Sequence, residues 1–383
     1  MQRIFGLRLF ALLFVLLAFD TAGQTFVDKT MNWNGVQRHY RAYVPAVTTC
    51  ALVVHLHGYG SNSFLEHLYT GYIPVADSNG FVVAFPDGLV DPLGNQSWYV
   101  GWPLQTYAND LGFLSDFIDS MVLAYNIDPS MVFVSGLSNG GFMAFRLACE
   151  LNAKVAAIAV VSASMTPTLY NACTPETPVP AMMIHGTLDT TIPYAGSPSG
   201  VALGVHVDSV MRRWAVMSSC NPTPQVNVLP HDSTTVNGTS VEHRVYEGWL
   251  QNPSCELYKI INGQHVNWPG FDASTTNDFS AAREIWRFFQ GTRSCAEIML
   301  STASQPHRLV SVYPNPSDGN FYLRFDGVSG DVDYDVIDAL GRVVAAGSFR
   351  GSTTHALTQL LPGIYALRLR TGDTTRSLKL MVH

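Results

Sequence analysis

Short apolar runs that alternate with segments of helical periodicity constrain the fold of this chain more than any other feature. The nearly continuous apolar runs lie at residues 51–56, 81–86, 131–134, 155–161 and 180–184. Such runs fit strands that are buried on both faces of a parallel sheet. Apolar residues recur at helical spacing over 110–125, 139–151 and 280–289. This alternation predicts an α/β domain with a mostly parallel sheet, which we place at residues 24–298.

The pattern changes after residue 301. Strand-like alternation of apolar and polar residues occurs at 321–325, 332–336, 365–369 and 378–382. Turn signals such as Asp318-Gly319 and Pro362-Gly363 lie between these segments. Several short strands at regular spacing are typical of a small β-sandwich. We predict this sandwich for residues 308–383, joined to the α/β domain by a linker at 299–307.

The N-terminus has the pattern of a secretory signal peptide at residues 1–23. Arg3 and Arg8 precede or border an apolar run at 9–19, and small residues follow at 21–23. The run has 11 residues, whereas a membrane-spanning helix needs about 20. A buried N-terminal helix is the alternative. We therefore predict a protein that is secreted, extracellular or on the outer cell surface, with no integral membrane segment after signal cleavage.

Low charge restricts the possible partners. There are 22 Lys and Arg residues against 29 Asp and Glu, a net charge of −7 that leaves no basic surplus for nucleic acid. Charged residues make up 13% of the chain, compared with about 25% in an average soluble domain. We therefore expect no nucleic acid partner and a neutral substrate.

The 6 cysteines all follow the signal peptide. An even number of cysteines in an exported protein predicts disulfide bonds, and six allow fifteen connectivities. Pairing sequence neighbours gives Cys149–Cys173 and Cys220–Cys255, and leaves Cys50–Cys295.

Three polar residues each come just after a predicted strand, in the chain order serine, aspartate, histidine. Ser138 lies in the segment Gly136-Leu-Ser-Asn-Gly, between a strand and a helix, which is the context of a nucleophile elbow. Asp189 and His265 each follow a further predicted strand. For each residue alone there is a simpler interpretation: an ordinary glycine-rich turn for Ser138, a solvated loop residue for Asp189 and a structural or solvated histidine for His265. Together they have the chain order of α/β-hydrolases, so we predict Ser138 as nucleophile, His265 as base and Asp189 as its partner.

Acyl transfer also needs backbone donors for the oxyanion. The N–H of Asn139, directly after the nucleophile, is one candidate, and the N–H of Tyr59, in the loop after residues 51–56, is the other. His57 in the same loop is interpreted as structural support rather than as a base or a metal ligand. No metal-ligand spacing such as His-Glu-x-x-His occurs, so we predict neither a metal nor another cofactor.

Aromatic residues near these motifs are candidates for contact with the substrate. Trp98, Trp102 and Trp268 could stack on a feruloyl ring, a sugar face or a polyester. Packing in the core is the alternative for each of them.

Several segments together resemble one family of secreted α/β-hydrolases. They lie at 57–60, 77–88, 136–141, 185–194 and 265–270. Over roughly residues 26–295 the chain is similar to the polyhydroxybutyrate depolymerases and the feruloyl and acetylxylan esterases, the LpqC-like or family-one carbohydrate esterases. The resemblance implies a serine esterase with the three residues above, and a disulfide bond across Cys220 and Cys255. The chain departs from the family pattern at Tyr59, Gln264 and residues 109–110, which leaves the substrate preference open.

The tail resembles the C-terminal sorting domain of type IX secretion. The segments that carry this resemblance lie at 313–321, 338–342 and 361–365. The resemblance covers residues 308–383 and implies an export signal that engages the type IX secretion machinery. A carbohydrate- or polymer-binding module is the rival interpretation.

The substrate is the main point that the sequence leaves open. Feruloyl, acetyl and hydroxyalkanoate esters all fit, and we expect the ester to be part of a polymer. A serine peptidase of the same fold and a non-catalytic adhesive surface protein are the alternative functions.

Overall fold

The computed structural model describes most of the chain after the predicted signal peptide. The described residues are 24–46, 50–102, 105, 107–197, 204–231, 238–248, 253–265, 268–270, 276–292, 309–313, 317, 319–326, 331–338, 342–350, 354–357, 360–371 and 374–382. The predicted signal peptide and linker lie outside these ranges. The chain divides into two compact units, Met1–Cys295 and Ala296–His383.

The first unit is built on strands and helices that alternate along the chain. Its strands are β1 (Thr25–Trp33), β2 (Val36–Val44), β3 (Ala51–Leu56), β4 (Phe81–Pro86), β5 (Leu89–Val90), β6 (Gln96–Ser97), β7 (Val132–Leu137), β8 (Ala157–Val161), β9 (Ala181–Gly186), β10 (Gln225–Val228), β11 (Ser240–Tyr246) and β12 (Cys255–Ile261). Its helices are α1 (Ser63–Tyr69), α2 (Tyr72–Asn79), α3 (Asp110–Ala124), α4 (Asn139–Glu150), α5 (Pro167–Ala172), α6 (Val207–Met217) and α7 (Ala281–Thr292).

One large sheet organises this unit. Within the described residues, ten strands are joined in the order β1-β2-β4-β3-β7-β8-β9-β12-β11-β10. The central strands from β4 to β12 are parallel, and the pairs at both edges are antiparallel. The predicted α/β fold with a mostly parallel sheet is therefore confirmed. The edge strands were not predicted because β1 and β10 are largely exposed and lack continuous apolar runs.

Helices cover both faces of the sheet. Side chains of α3, α4 and α6 form one apolar core with strand residues such as Val134. The next residue towards the N-terminus, Phe133, points to the opposite face because side chains alternate along a strand. There Phe289 of α7 stacks on Phe133 at 4.6 Å between ring centroids, and Trp286 stacks on Phe81 at 3.9 Å. No helix among the described residues is long and apolar enough to cross a membrane.

The second unit is a small β domain, as predicted. Its strands are β13 (Leu309–Tyr313), β14 (Phe321–Asp326), β15 (Asp331–Asp338), β16 (Val343–Arg350), β17 (Thr354–Leu357), β18 (Gly363–Thr371) and β19 (Thr374–Val382). Within the described residues they form two sheets, β13-β14-β17 and β16-β15-β18-β19. Phe321 of the first sheet lies in one apolar core with Val336 and Leu367 of the second, which gives the domain a core of its own.

The cysteines follow the predicted pairing only in part. Cys149 and Cys173 form a disulfide bond. Cys50 is also disulfide-bonded, and its predicted partner Cys295 lies outside the described residues.

The predicted bond between Cys220 and Cys255 is wrong for this structure. Both thiols are free and buried, with their sulfur atoms 3.9 Å apart. A disulfide bond requires about 2.0 Å. The Cys220 thiol instead points at the carbonyl oxygens of Ser218 and Pro253, at 3.6 and 3.4 Å.

Candidate active site

Ser138 lies at a strained turn between β7 and α4. Its φ of 49° and ψ of −118° belong to a backbone conformation that non-glycine residues rarely adopt. Hydrogen bonds hold the turn from both sides. The Ser138 N–H donates to the carbonyl of Val161 at 2.8 Å, and its carbonyl accepts from Gly141 and Phe142 at 2.9 and 3.1 Å. The backbone of Ser138 is therefore fixed before any substrate binds.

Glycines allow this turn to pack against the end of β3. A Cβ atom on Gly140 would lie 2.1 Å from the carbonyl oxygen of Leu56. A Cβ atom on Gly136 would lie 2.4 Å from the carbonyl of Gly140. Both distances are far shorter than non-bonded contacts, so only glycine fits at these two positions.

Asp189 and His265 form a hydrogen-bonded pair after the neighbouring strands β9 and β12. Asp189 accepts the Nδ1–H of His265 on Oδ2 at 2.8 Å. Its Oδ1 accepts the backbone N–H groups of Thr191 and Ile192 at 2.9 and 2.7 Å. The Asp189 carboxylate is buried, whereas the His265 side chain is partly exposed. The pair thus presents a histidine at the surface with a fixed carboxylate behind it.

The electrostatics of Asp189 favour its ionised form. Burial raises the pKa of Asp189, but hydrogen bonds from His185 and His265 outweigh burial and lower the pKa to about 2. A carboxylate that faces Nδ1 keeps the proton of His265 on that nitrogen. Nε2 of the neutral ring is then free to accept a proton.

Ser138 and the pair lie at one edge of the sheet. β7, β8, β9 and β12 are parallel neighbours, so their carboxyl ends meet at the same edge, and Ser138, Asp189 and His265 each follow one of these ends. The order of the strands along the chain reverses between β3 and β7. Ligands of open α/β sheets bind at the carboxyl ends of strands next to such a reversal. The loop after β3 and the turn after β7 both border this point.

The two backbone groups that we predict as oxyanion donors have no acceptor among the described residues. Neither the N–H of Tyr59 nor the N–H of Asn139 donates to any residue within the described ranges. α4 begins without a side-chain cap, so no capping side chain accepts the N–H of its first residue, Asn139. A Cβ atom on Gly58 would lie 3.6 Å from the Cβ of Ser138, which puts the loop of Tyr59 directly beside the serine.

His57 supports this loop from inside. It is buried, and its Nδ1 lies 2.7 Å from the carbonyl oxygen of Gly58, while the N–H of Gly88 donates to Nε2 at 2.8 Å. Because Nε2 is an acceptor, Nδ1 carries the proton and the ring is neutral. Burial lowers the pKa of His57, which keeps the ring neutral. Its position therefore fits a structural role.

A buried carboxylate that the sequence analysis did not identify also holds the loop of Tyr59. Glu66 of α1 accepts the N–H of Gly58 on Oε1 at 3.2 Å and contacts Nε2 of His55 with Oε2 at 2.9 Å. Nδ1 of His55 lies 2.9 Å from the hydroxyl of Ser135, which also accepts from Tyr72. Burial opposes the charge of Glu66, but the hydrogen bond and charge of His55 outweigh it and lower the pKa of Glu66. The sequence gives no signal of this burial, because the apolar residues Phe64, Leu65 and Leu68 of the same helix are the ones expected inside, and they are exposed instead.

A hairpin braces the outer side of the loop. The phenol of Tyr59 donates to Asp91 at 2.6 Å and accepts from the amide of Asn95 at 3.2 Å. The N–H of Gly60 donates to the carbonyl of Gln96 at 2.9 Å. These partners lie in the β5–β6 hairpin and its turn, so the loop is held between this hairpin and α1.

Trp98 does not face the substrate, contrary to the prediction. Its side chain is fully buried, and its indole N–H donates to the carbonyl of His57 at 3.1 Å. The Asn139 side chain accepts from the N–H of Trp98 at 2.7 Å and donates to its carbonyl at 3.1 Å. Trp98 therefore fastens the segment that follows β6 to the serine turn.

Trp268 is also part of the interior, so its predicted contact with substrate is wrong for this structure. It is 1% exposed, and its ring meets the rings of His55 and Tyr72 at 5.0 and 5.7 Å. Trp102 is half-buried against Phe142, with 5.1 Å between ring centroids, and its contact with substrate stays a prediction. Among the described residues, no group of three or more His, Cys, Asp or Glu side chains is placed to hold a metal ion.

Comparison with known families gives two separate matches along the chain. Residues 105–199 match the phospholipase/carboxylesterase family. Residues 311–383 match the secretion system C-terminal sorting domain. The match of the tail indicates type IX secretion to the outside of the cell or to the outer cell surface, as predicted.

Curated relatives are similar to parts of the first unit. The chain is 31% identical to feruloyl esterase B of Piromyces equi over 200 residues, which are 50% of this chain and 35% of that protein. It is 31% identical to a bifunctional acetylxylan esterase/xylanase of Neocallimastix patriciarum over 162 residues, 42% of this chain and 22% of that protein. It is 36% identical to the poly(3-hydroxybutyrate) depolymerase of Ralstonia pickettii over 78 residues, 20% of this chain and 16% of that protein.

These relatives confirm the family resemblance found in the sequence. The similarity includes a feruloyl esterase, an acetylxylan esterase and a hydroxybutyrate depolymerase. The chain spans about a third or less of the length of these three relatives. Their activities therefore bear on this protein only as the basis of a proposal.

Proposed function

We propose that this protein is an exported serine esterase that cleaves carboxylic esters through an acyl-enzyme on Ser138. The observation that carries the proposal is the strained, immobilised serine turn at the sheet edge that also holds the Asp189–His265 pair. A solvated aspartate or a merely structural histidine would not need this arrangement. The match of residues 105–199 to the phospholipase/carboxylesterase family supports ester hydrolysis.

The first step forms the acyl-enzyme. Nε2 of His265 takes the proton of the Ser138 hydroxyl while Oγ attacks the ester carbonyl carbon. The carboxylate of Asp189 stabilises the imidazolium through Nδ1–H. The N–H groups of Tyr59 and Asn139 donate to the oxyanion, which is the charge that develops in the transition state.

The second step releases both products. The bond between the carbonyl carbon and the alcohol oxygen breaks, and His265 gives its proton to the leaving alkoxide. His265 then removes a proton from water, whose oxygen attacks the acyl carbon. The bond to Oγ breaks, the proton returns to Ser138, and the carboxylic acid leaves with the second oxygen from water.

The substrate is proposed as a neutral ester, part of a polymer outside the cell. The relatives named above are esterases of feruloyl or acetylxylan groups, or a depolymerase of hydroxybutyrate. The low charge of the chain agrees with an uncharged substrate. We also propose that residues 308–383 deliver the enzyme to the type IX secretion machinery.

Ser138→Ala tests the nucleophile. The variant should lose ester hydrolysis by several orders of magnitude, because deletion of a serine nucleophile removes the covalent pathway. Ser120→Ala is the matched control, since Ser120 lies on the exposed face of α3 and its hydroxyl donates to the carbonyl of Asp116. A panel of methyl ferulate, acetylated xylan, a short hydroxybutyrate oligomer and a peptide amide gives the substrate class. Unchanged ester hydrolysis by Ser138→Ala would refute the assignment, and cleavage of the amide alone would favour a peptidase.

Removal of residues 308–383 tests the role of the tail. Cells that make the shortened chain should lose activity from the medium and the cell surface. Normal export combined with lost binding to an insoluble polymer would instead identify the tail as a binding module.

A further inference from the structure

His185 is a fully buried histidine that the proposed reaction does not use. It lies close to the end of β9, and its side chain is inaccessible to solvent. Its Nδ1 lies 3.1 Å from the carbonyl oxygen of Ala163. Its Nε2 lies 2.8 Å from the carbonyl oxygen of Ile192 and 3.4 Å from Oδ2 of Asp189. All three of these neighbours are hydrogen-bond acceptors.

These acceptors determine which protons the ring of His185 carries. A neutral imidazole has one N–H group and one bare nitrogen, and a buried bare nitrogen needs a donor. No N–H or O–H group within the described ranges donates to either nitrogen of His185. A bare nitrogen would direct its lone pair at the carbonyl oxygen of Ala163 or Ile192, which is repulsive. A proton on each nitrogen satisfies all three contacts, and the ring is then an imidazolium.

The charge of such a ring is compensated by Asp189. A buried charge is costly unless an opposite charge and hydrogen bonds balance it. Burial raises the pKa of Asp189, but hydrogen bonds from His185 and His265 lower it to about 2, so the carboxylate is ionised. The carboxylate is as fully buried as the ring of His185. The two histidines therefore share one buried negative charge.

The other charged and titratable groups around His185 do not replace this carboxylate. Among the described residues, Asp189 is the one carboxylate within ion-pair distance of His185. The ring of Tyr194, whose phenol donates to Asp208, meets His185 edge-on at 5.7 Å between centroids. Lys259 is in register with His185 on β12, and its ammonium lies 5.1 Å from the ring of Tyr194. This second positive charge makes the contact with Asp189 the more necessary.

His185 also fastens the turn that carries Asp189. The N–H of Ile192 donates to Oδ1 of Asp189 at 2.7 Å, and the carbonyl of Ile192 accepts from His185. The bond to Ala163 connects this turn to the segment after β8. A Cβ atom on Gly141, in the first turn of α4, would lie 2.4 Å from the Cβ of Ala163, so this segment packs against the serine turn. His185 therefore joins the support of the acid to the support of the nucleophile.

We propose that His185 is a positioning residue, an imidazolium that holds Asp189 against His265 and places a positive charge behind the base. The proposal rests on the esterase function proposed above and adds a residue to its machinery. Nε2 of His185 and Nδ1 of His265 contact the same oxygen of Asp189 at 3.4 and 2.8 Å, so they are at most about 6 Å apart. A positive charge at this distance opposes protonation of His265. His185 thereby keeps His265 available as a base at lower pH.

Direct observation of the ring protons tests the charge without any activity. Nitrogen-15 NMR of the full-length protein with labelled histidine distinguishes an imidazolium from either neutral tautomer, and comparison with His185→Gln assigns the signals of His185. At pH 8 a solvated histidine is neutral. His185 should still carry a proton on both nitrogens at this pH. One protonated and one bare nitrogen would overturn the proposal.

The pH profile of kcat/KM tests the positioning role. His185→Gln keeps an N–H donor without the charge, whereas His185→Leu removes the donor as well. With p-nitrophenyl acetate, His185→Gln should shift the acid limb by about 1 pH unit to higher pH, which is the size of a charge interaction across about 6 Å. It should also lower kcat about tenfold, and His185→Leu should lower kcat further, because Asp189 is less well placed. KM should change little in both variants.

His243→Gln is the matched control. His243 is a part-buried histidine that contacts buried Glu256 at 2.8 Å and stacks on Tyr258 at 4.3 Å. This variant should keep both kcat and the pH profile of the unmodified protein. A merely structural His185 would lower the thermal midpoint of His185→Gln and leave the pH profile of the remaining activity unchanged, and this result would overturn the proposal.

Failure of this inference and failure of the proposed function give different results. If His185 carries two protons while the protein cleaves no ester, the esterase proposal fails and the charge of His185 stands. If esters are cleaved and His185→Gln leaves the acid limb in place, the positioning role fails and the esterase stands.

Discussion

Replacing Asp189 by asparagine exchanges one carboxylate oxygen for an NH2 group and should move the proton of neutral His265 from Nδ1 to Nε2. The Asp189 carboxylate accepts two backbone N–H groups on Oδ1 and the Nδ1–H of His265 on Oδ2. Asparagine has one acceptor oxygen and one NH2 group. If the oxygen keeps the two backbone donors, the NH2 group faces Nδ1 of His265. His265 must then carry its proton on Nε2, which is the atom that acts as base in the proposed reaction.

The expected loss of activity follows from this reversal. A histidine in the wrong tautomer cannot accept the Ser138 proton, and kcat should fall by about 10⁴-fold, the size of the effect when such an aspartate is replaced by asparagine in a serine hydrolase. KM should change far less, because Asp189 is behind the histidine and buried. A selective fall in kcat is therefore the signature of the proposed role.

The expected loss of stability follows from the pKa of Asp189. Burial raises this pKa and hydrogen bonds from the two histidines lower it more, so the folded protein has a value of about 2 instead of 3.8. At about 1.4 kcal/mol per pH unit, the ionised form contributes about 2 kcal/mol to stability. Because the folded pKa is the lower one, this contribution is complete above pH 3.8 and is lost as the pH falls towards 2. Asp189→Asn should therefore lower the thermal midpoint at pH 7 and lower it much less near pH 2.

Steady-state kinetics with methyl ferulate and thermal unfolding at several pH values measure both effects. Asp208→Asn is the matched control, since Asp208 is a partly buried carboxylate that accepts from Tyr194 and Arg244 and does not contact His265. The control should keep kcat. If Asp189→Asn keeps more than about a tenth of kcat while folding normally, the proposed function of the pair is wrong.

Three further substitutions test the frame of the site. Gly140→Ala places a Cβ 2.1 Å from the carbonyl oxygen of Leu56 and should destabilise the protein by about 3 kcal/mol or more. The control Gly291→Ala, where a Cβ would meet nothing within 4 Å, should be neutral or slightly stabilising. Thermal unfolding measures both, and an equal midpoint for the two variants would contradict the tight packing of the serine turn. Glu66→Gln should lower kcat for small esters about tenfold or more with little change in KM, because the oxyanion loop loses a charged anchor; equal kcat values would refute this role. The double variant Cys149→Ala/Cys173→Ala, which opens a loop with a sequence separation of 24, should lose about 3 kcal/mol of unfolding free energy, and an unchanged thermal midpoint would contradict this.

The positions of the three candidate catalytic residues could be predicted because burial and chain order determine them. β7 and β9 are recognisable from their apolar runs, a further strand is predicted just before His265, and parallel strands end at a common edge. Ser138, Asp189 and His265 follow these ends, so their neighbourhood follows from the fold alone.

The roles of the aromatic residues could not be predicted, because exposure depends on partners that are distant in sequence. Trp98 is buried through its contact with Asn139, 41 residues away, and Trp268 through its contact with the ring of His55. Nothing in the local sequence separates these two from half-exposed Trp102. Glu66 was missed because a carboxylate is almost never fully buried, and on α1 it is buried while Phe64 and Leu68 are exposed.

Cys220 and Cys255 show a third limit of prediction from the sequence. Sequence spacing and the family resemblance both bring Cys220 and Cys255 together, and the structure does place them in contact. Whether a bond forms depends on the side-chain orientation, and Cys220 is turned towards backbone carbonyls instead. Proximity is determined by the fold, whereas the bond requires a geometry that sequence does not encode.

Covalent labelling of the intact protein with a fluorophosphonate probe tests the central claim most directly. The probe reacts with a serine that an adjacent base activates, and peptide mass spectrometry then locates the adduct. The proposed function predicts one adduct per chain, on Ser138, and none on the Ser138→Ala variant. An adduct on a different serine, or ester hydrolysis by a protein in which Ser138 remains unlabelled, would contradict it.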